Sequence, residues 1–188
     1  MTKTALWEGR FQPIHKGHLA YIELLLTKSE TLWLYVVENE VSTSIPNFKS
    51  PVPEFTAEVD THHISEKNPL PFWLRYQIVH ETIRYEFGGN APIHLWGGRR
   101  LDLDWPFFKK ALPKDRVFLT PSRDRFEDSK ARAWATLGEK VVRIDVDHLP
   151  KISATQVREA IRNKQDLSDL LSKKTLEILN DYQMLDRI

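Results

Sequence analysis

The sequence predicts an α/β fold: an open parallel sheet of about five strands with helices on both faces. Three observations carry that expectation. Short apolar runs of strand type recur along the chain, and one of them, Leu32-Trp33-Leu34-Tyr35-Val36-Val37, is apolar throughout, as strands covered on both faces are. Stretches with helical periodicity separate these runs. The first run passes through a tight turn into a helix, and a strand, helix, parallel strand unit closes right-handed.

The chain begins with an apolar strand, Thr4-Ala5-Leu6-Trp7, followed by Gly9-Arg10-Phe11-Gln12-Pro13-Ile14-His15-Lys16-Gly17-His18 and a helix from Leu19 through Leu26. In that turn Gly9 lets the backbone bend without a Cβ clash and lets a ligand come close. Pro13 fixes φ and stops the strand. His15 and His18, three residues apart, share a face once the helix has begun. Arg10 and Lys16 add positive charge, and the first helical turn offers unpaired N–H groups and the positive end of the dipole. Such a turn suits an anion with several oxygens, a polyphosphate in particular.

After the second strand, residues 38–71 carry five of the eleven prolines and little helical periodicity. They read as a long loop after a strand's C-terminal end, where open α/β sheets place their ligands. Phe72 to Phe87 returns to helix, with Phe72, Tyr76, Val79, Ile83 and Phe87 at three- and four-residue steps. Ile93 to Trp96 is the next strand, closed by Gly97-Gly98, and Asp102 to Leu112 allows a further helical step. Arg116 to Leu119 and Lys140 to Ile144 complete the sheet, with a helix over Phe126 to Leu137 between them. Ser153 opens a helix to Asn163 as its N-cap. A last amphipathic helix runs from about Leu167 to Tyr182.

The whole chain is consistent with one domain, 1–188, whose last part from about 153 is helical. Its 188 residues and 41% hydrophobic content can bury a sizeable core. Lys+Arg 27 against Asp+Glu 26 gives a net charge of +1, which argues against a dedicated nucleic-acid or membrane surface. There is no cysteine, so disulfides, thiolate catalysis and cysteine-ligated zinc are excluded. No apolar run approaches a membrane span, and a cytoplasmic protein is the default expectation.

Two motifs carry a resemblance. Gly9-Arg10-Phe11-Gln12-Pro13 with His15-Lys16-Gly17-His18 resembles the first signature of the nucleotidylyltransferase superfamily. Ile152-Ser153-Ala154-Thr155-Gln156-Val157-Arg158 resembles its second, a Ser-x-Thr-x-x-Arg helix start. The Arg-Phe-Gln-Pro form is similar to archaeal-type nicotinamide mononucleotide (NMN) adenylyltransferases in particular. The resemblance implies a Rossmann-like sheet and a single nucleotidyltransferase domain. It also implies direct in-line transfer of AMP from ATP to NMN, giving NAD and pyrophosphate, with Mg2+ accompanying the ATP. Catalytic roles fall on His15, His18 and Arg10. Binding roles fall on Gly9, Phe11, Gln12, Lys16, Gly97, Ser153, Thr155 and Arg158. No protein metal ligand is implied, because a magnesium ion bridging phosphates is held by substrate and water. Small molecules are the expected partners, and a homo-oligomer is an assembly the resemblance allows.

On that chemistry the imidazoles donate to α- or β-phosphate oxygens, and the incoming phosphate charge favours their protonated form. Arg10 bridges the reacting phosphates with its planar fork. Ser153, Thr155 and Arg158 hold the β- and γ-phosphates. The acceptor half departs from the family. Pro46 stands where the family often has an arginine, Gly97-Gly98 replaces a Gly-Asn, and Asp60, Asn68 and Trp73 are the candidates for reading the nicotinamide amide. Other readings are another phosphorylated acceptor, CTP as donor, or a nucleotide sensor without catalysis. Taken singly, each feature has a plainer explanation. His15 and His18 could be surface polar residues, His62-His63 loop surface, Ser153 an ordinary cap, and Arg123-Asp124-Arg125 a solvated loop. Trp7, Trp33 and Trp96 read as core.

Overall fold

The computed structural model describes residues 1–188. Five parallel strands form one sheet: β1 (Thr2–Gly9), β2 (Ser29–Val37), β3 (Ile93–Gly98), β4 (Arg116–Ser122) and β5 (Val141–Asp145), in the order β3-β2-β1-β4-β5. The expected α/β architecture is therefore the observed one. The strand order reverses at β1, whose neighbours are β2 and β4, and a crevice opens at such a switch point beyond the strands' C-terminal ends.

Helices cover both faces. On one side α1 (Lys16–Lys28), α3 (Phe72–Phe87), α6 (Ala154–Arg162) and α7 (Lys173–Asp181) bury the larger core, with Ala5, Trp7, Ile22, Leu34, Ile78, Val157 and Leu179. On the other, α4 (Trp105–Ala111) and α5 (Arg125–Thr136) enclose Leu6, Tyr35, Phe108, Phe118 and Trp134. The period-2 alternation of β1 decides which residue serves which layer. Trp7 joins the first core, and Leu6 the second. Trp33 and Trp96, expected in the core, pack only half-buried against the second cluster, while Trp105 and Trp134 are its buried indoles.

Two expectations need correction. Residues 38–71 are not a plain loop. They contain the helix α2 (Pro53–Asp60) and two single-turn 3₁₀ segments, Ser42–Ser44 and Ser65–Lys67. Pro53 sits in the first turn, where its missing N–H costs nothing. Phe55 and Val59, four apart, bury against Ala133 and Phe126 of α5. The five prolines masked a helix of only eight residues. The last helix starts later than Leu167, because Ser172 caps it by accepting from the Thr175 N–H at 3.2 Å. Residues 167–171 form a separate turn closed by the Leu171 N–H on the Leu167 carbonyl at 2.8 Å.

Candidate active site

A cleft of about 710 Å³ opens at the C-terminal ends of β1 and β4, where the topology places it. Its walls come from the turn after β1, the segment after β4, α2 with the turn that follows it, and the start of α6.

The first motif is built around the N-terminus of α1. His15 is the N-cap and His18 the third helical residue, and each Nδ1 accepts the other residue's backbone N–H at 3.3 Å. The two rings stack at 3.6 Å and 20°. Because both Nδ1 atoms act as acceptors, the ring proton of each neutral imidazole sits on Nε2. Burial, helped by Arg123, pulls His15 down to about 3, and burial with His15 itself holds His18 well below the usual range. The free protein thus presents two neutral N–H donors, and protonation would require the charge of a bound phosphate. Trp7 and Phe11 fix the His18 ring from two sides, at 5.8 and 5.1 Å between centroids.

Gly9 lines the cleft, and a Cβ there would lie 2.9 Å from the Phe11 ring, so glycine also makes room for a side chain of its own motif. The left-handed residue of the turn is Phe11, at φ 51°. Gln12 is fully committed to the fold: its amide donates to the Leu70 carbonyl at 3.1 Å and accepts from the Leu70 N–H at 3.0 Å. Arg10 donates to the His62 carbonyl and, at 3.2 Å, to Asn68 Oδ1, so it ties the turn to the segment after α2. Burial, with Arg158 nearby, lowers its guanidinium to about 10, which leaves it charged at neutral pH.

The second motif opens α6. Ser153 caps it, accepting from the Gln156 N–H at 3.1 Å. Thr155 accepts from Arg158 Nη2 at 3.2 Å, and Arg158 Nη1 reaches across 146 residues to the Gln12 carbonyl at 2.9 Å. Ser153 and Thr155 are exposed to the cleft, whereas Arg158 is buried with its Nε unpaired.

Several cleft residues escaped the sequence reading. Glu8, the last side chain of β1 before the motif, faces α5 and accepts the Trp134 indole N–H at 3.0 Å. Burial pushes its carboxyl up to about 7, against Lys130 and with Asp102. Asp102 takes two hydrogen bonds from Arg100, at 3.2 and 2.8 Å, and Arg100 also pairs with Asp60 at 2.8 Å. Glu127 and Lys130 pair at 3.1 Å beside them. Arg75 Nη1 donates to the Val37 carbonyl at 2.8 Å and to the Arg10 carbonyl, bracing the ends of β1 and β2. A buried acid inside a strand pattern was the one available signal for Glu8. His62 and His63 are not loop surface, since both reach the cleft, and His63 is buried with Nδ1 at 3.1 Å from the Glu40 carbonyl. Arg123 and Asp124 also line the cleft, Asp124 as the N-cap of α5.

Other expected residues lie elsewhere. The Lys16 side chain is exposed and outside the cleft. Gly97 is a packing residue, since a Cβ there would meet the Val36 carbonyl at 2.9 Å and the Phe72 and Tyr76 rings at 3.1 Å. Asp60 is held by Arg100, Asn68 by the His62 and Ile64 carbonyls, and Trp73 is 55% exposed against Tyr182. None of the three borders the cleft.

No protein-family model matches the chain. A nicotinamide-nucleotide adenylyltransferase of Pyrococcus abyssi is 22% identical over 183 residues, covering 97% of this chain and 86% of that one. A Clostridium tetani protein named as a nicotinate-nucleotide adenylyltransferase is 25% identical over 199 residues, covering 97% and 98%. Among solved structures, one from Vibrio parahaemolyticus, named as a nicotinate-nucleotide adenylyltransferase, superposes with a TM-score of 0.64 at 16% identity and covers 100% of this chain and 98% of that one. A bifunctional NMN adenylyltransferase/ADP-ribose pyrophosphatase of Francisella tularensis, solved with AMP and a manganese ion, has a TM-score of 0.54 at 15% identity and is covered over 54% of its length. At such identities the structural likeness is one of fold.

The class that fold, motifs and relatives have in common is the nucleotidylyltransferases. Within it the similarity runs to the nicotinamide- and nicotinate-nucleotide adenylyltransferases.

Proposed function

We propose that this protein transfers AMP from ATP to nicotinamide mononucleotide, releasing pyrophosphate and forming NAD. The observation that carries the reading is the junction of two phosphate-type motifs from opposite ends of the chain, fastened by the Arg158 to Gln12 hydrogen bond at 2.9 Å. A phosphate oxygen of the acceptor attacks the α-phosphorus in line. The new P–O bond forms as the bond to the departing pyrophosphate breaks, with no covalent enzyme intermediate, so the protein's contribution is positioning and charge stabilisation.

His15 and His18 supply Nε2–H donors to the oxygens that gain charge. Ser153, Thr155 and the free N–H groups at the start of α6 receive the β- and γ-phosphates. Arg10 serves as the bridge between the reacting phosphates, exchanging the His62 carbonyl for a phosphate oxygen. Phe11 and Gln12 hold the turn in shape rather than touching the nucleotide. Magnesium enters with ATP as part of the substrate. In this reading phosphate oxygens and water carry the cation. The reading takes 1–188 as one nucleotidyltransferase domain acting on small molecules in the cytoplasm, and it allows a homo-oligomer. No helix is long and apolar enough to cross a membrane.

A second reading keeps the ATP half and changes the acceptor, or uses CTP as donor. The positions of Asp60, Asn68 and Trp73 away from the cleft favour it. Pyrophosphate release should be measured with ATP and magnesium against NMN, its acid form, phosphopantetheine and simple alcohol phosphates, with CTP as a parallel donor. Rapid release with ATP and NMN is expected. Release only with another acceptor would overturn the acceptor assignment, and release with none would favour a nucleotide sensor.

A further inference from the structure

The floor of the cleft holds three carboxylates, and only one of them has no ion-pair partner. Asp102 accepts from Arg100 through both oxygens, at 3.2 and 2.8 Å. Glu127 is paired with Lys130 at 3.1 Å. Glu8 is 8% exposed and spends Oε1 on the Trp134 indole at 3.0 Å, while its Oε2 has no partner in the protein. That oxygen is open to the cleft and is free to accept from a donor that a ligand brings.

Position narrows what the ligand offers. His15, His18 and the start of α6 lie on the α1 side of the sheet, with the phosphate-type groups. Glu8 projects from the opposite face of β1, toward α5 and the segment before α4. The two nucleotides meet at their phosphates, so the group that reaches this floor is the ring of one of them. Phe126, half-buried at the cleft edge with Phe55 and His62 against it, supplies an aromatic wall beside it.

We infer that Glu8 selects the acceptor: its free carboxylate oxygen accepts a hydrogen bond from the ring amide of nicotinamide mononucleotide and disfavours the ring that carries a carboxylate. The inference rests on the proposed adenylyl transfer and assigns to this chain's own strand residue the task expected of Asp60, Asn68 and Trp73, none of which lines the cleft. A neutral amide offers two N–H donors to Oε2. A nicotinate carboxylate offers none, and would add charge beside Glu8, Asp102 and Glu127, with Lys130 already paired. The titratable groups facing Glu8 are Lys130 and Glu127 from α5, Asp102 before α4 and Tyr35 from β2. Since the Glu8 carboxyl titrates near 7, discrimination strengthens as it ionises.

The test is Glu8→Gln, which keeps the acceptor for Trp134 and the side-chain volume. Specificity constants would be measured for NMN against its acid form, and for ATP against ITP, which lacks the exocyclic amine. The wild type is expected to favour NMN, with a ratio that rises from pH 6 to 8. The variant should narrow that ratio roughly ten- to a hundredfold and flatten its pH dependence, while the ATP/ITP ratio stays unchanged. A far-UV spectrum matching the wild type, with a single cooperative melt, would show that the fold persists. An unchanged acceptor ratio in an active, folded variant overturns the assignment. A collapse of the ATP/ITP ratio instead assigns Glu8 to the adenine amine and also overturns it. A wild-type protein that transfers AMP to neither acceptor removes the function and this inference together.

Discussion

Two imidazoles stacked at 3.6 Å tolerate each other because both are neutral. Charging both would set like charges face to face in a buried site. In the proposed transfer they therefore serve as fixed donors rather than as proton carriers. His18→Ala should leave ATP affinity within about tenfold and lower turnover on the order of a hundred- to a thousandfold, as removal of a transition-state donor does. Equilibrium ATP binding and single-turnover rates check this, and tighter loss of binding than of turnover would place His18 with the ground state. Gln12→Ala is a test of fold rather than chemistry. It strands the buried Leu70 N–H, while the Leu70 carbonyl keeps Arg75 Nε at 3.2 Å, so a loss of about 1–3 kcal/mol in denaturant unfolding is expected.

At the scale of elements, α2 turns a proline-rich segment into a wall of the cleft. Its hold is small: Phe55 and Val59 against Ala133, with Phe126 at the edge. Phe55→Ala should cost about 3 kcal/mol and loosen α2 from α5, raising the acceptor KM more than the ATP KM. Equal rises in both would mean that α2 does not border the acceptor. The same element shows what could be read from sequence. Strands and the long helices declared themselves through burial on both faces and 3.6-residue periodicity. A helix of eight residues has too few turns to show a period, and its prolines read as loop. In the candidate site, the half we assign to phosphate was readable because glycine, histidine and cap residues act locally, within a turn. The half we assign to the ring was not. Glu8, Asp102 and Lys130 are distant in sequence and meet only through packing across β1, α4 and α5, and a lone acid at the end of an apolar strand looks like the place where the strand leaves the core.

For the whole molecule, buried ionisable groups set the response to acid. His15 titrates near 3 and His63 near 4, below their unfolded value of 6.5. Their contribution is fully present above 6.5 and is lost as the pH falls toward those folded values, roughly 2 kcal/mol each by pH 5. Glu8 runs the other way: its folded carboxyl is raised to about 7, so acidification through 7 restores stability by a similar amount. Burial lowers His18 and His62 as well, so the histidines outweigh the one glutamate: the melting midpoint should fall between pH 7 and 5, and Glu8→Gln should make the fall steeper. A midpoint that rises over that range would show the histidines to be protonated in the folded state. The Arg158 to Gln12 bond has a consequence in time as well as space. Protein synthesis delivers the first motif early and the second only after most of the chain has left the ribosome. A nascent chain stopped before α6 can hold the opening strands but not the clasp between the motifs, so ATP should not be turned over by unfinished copies.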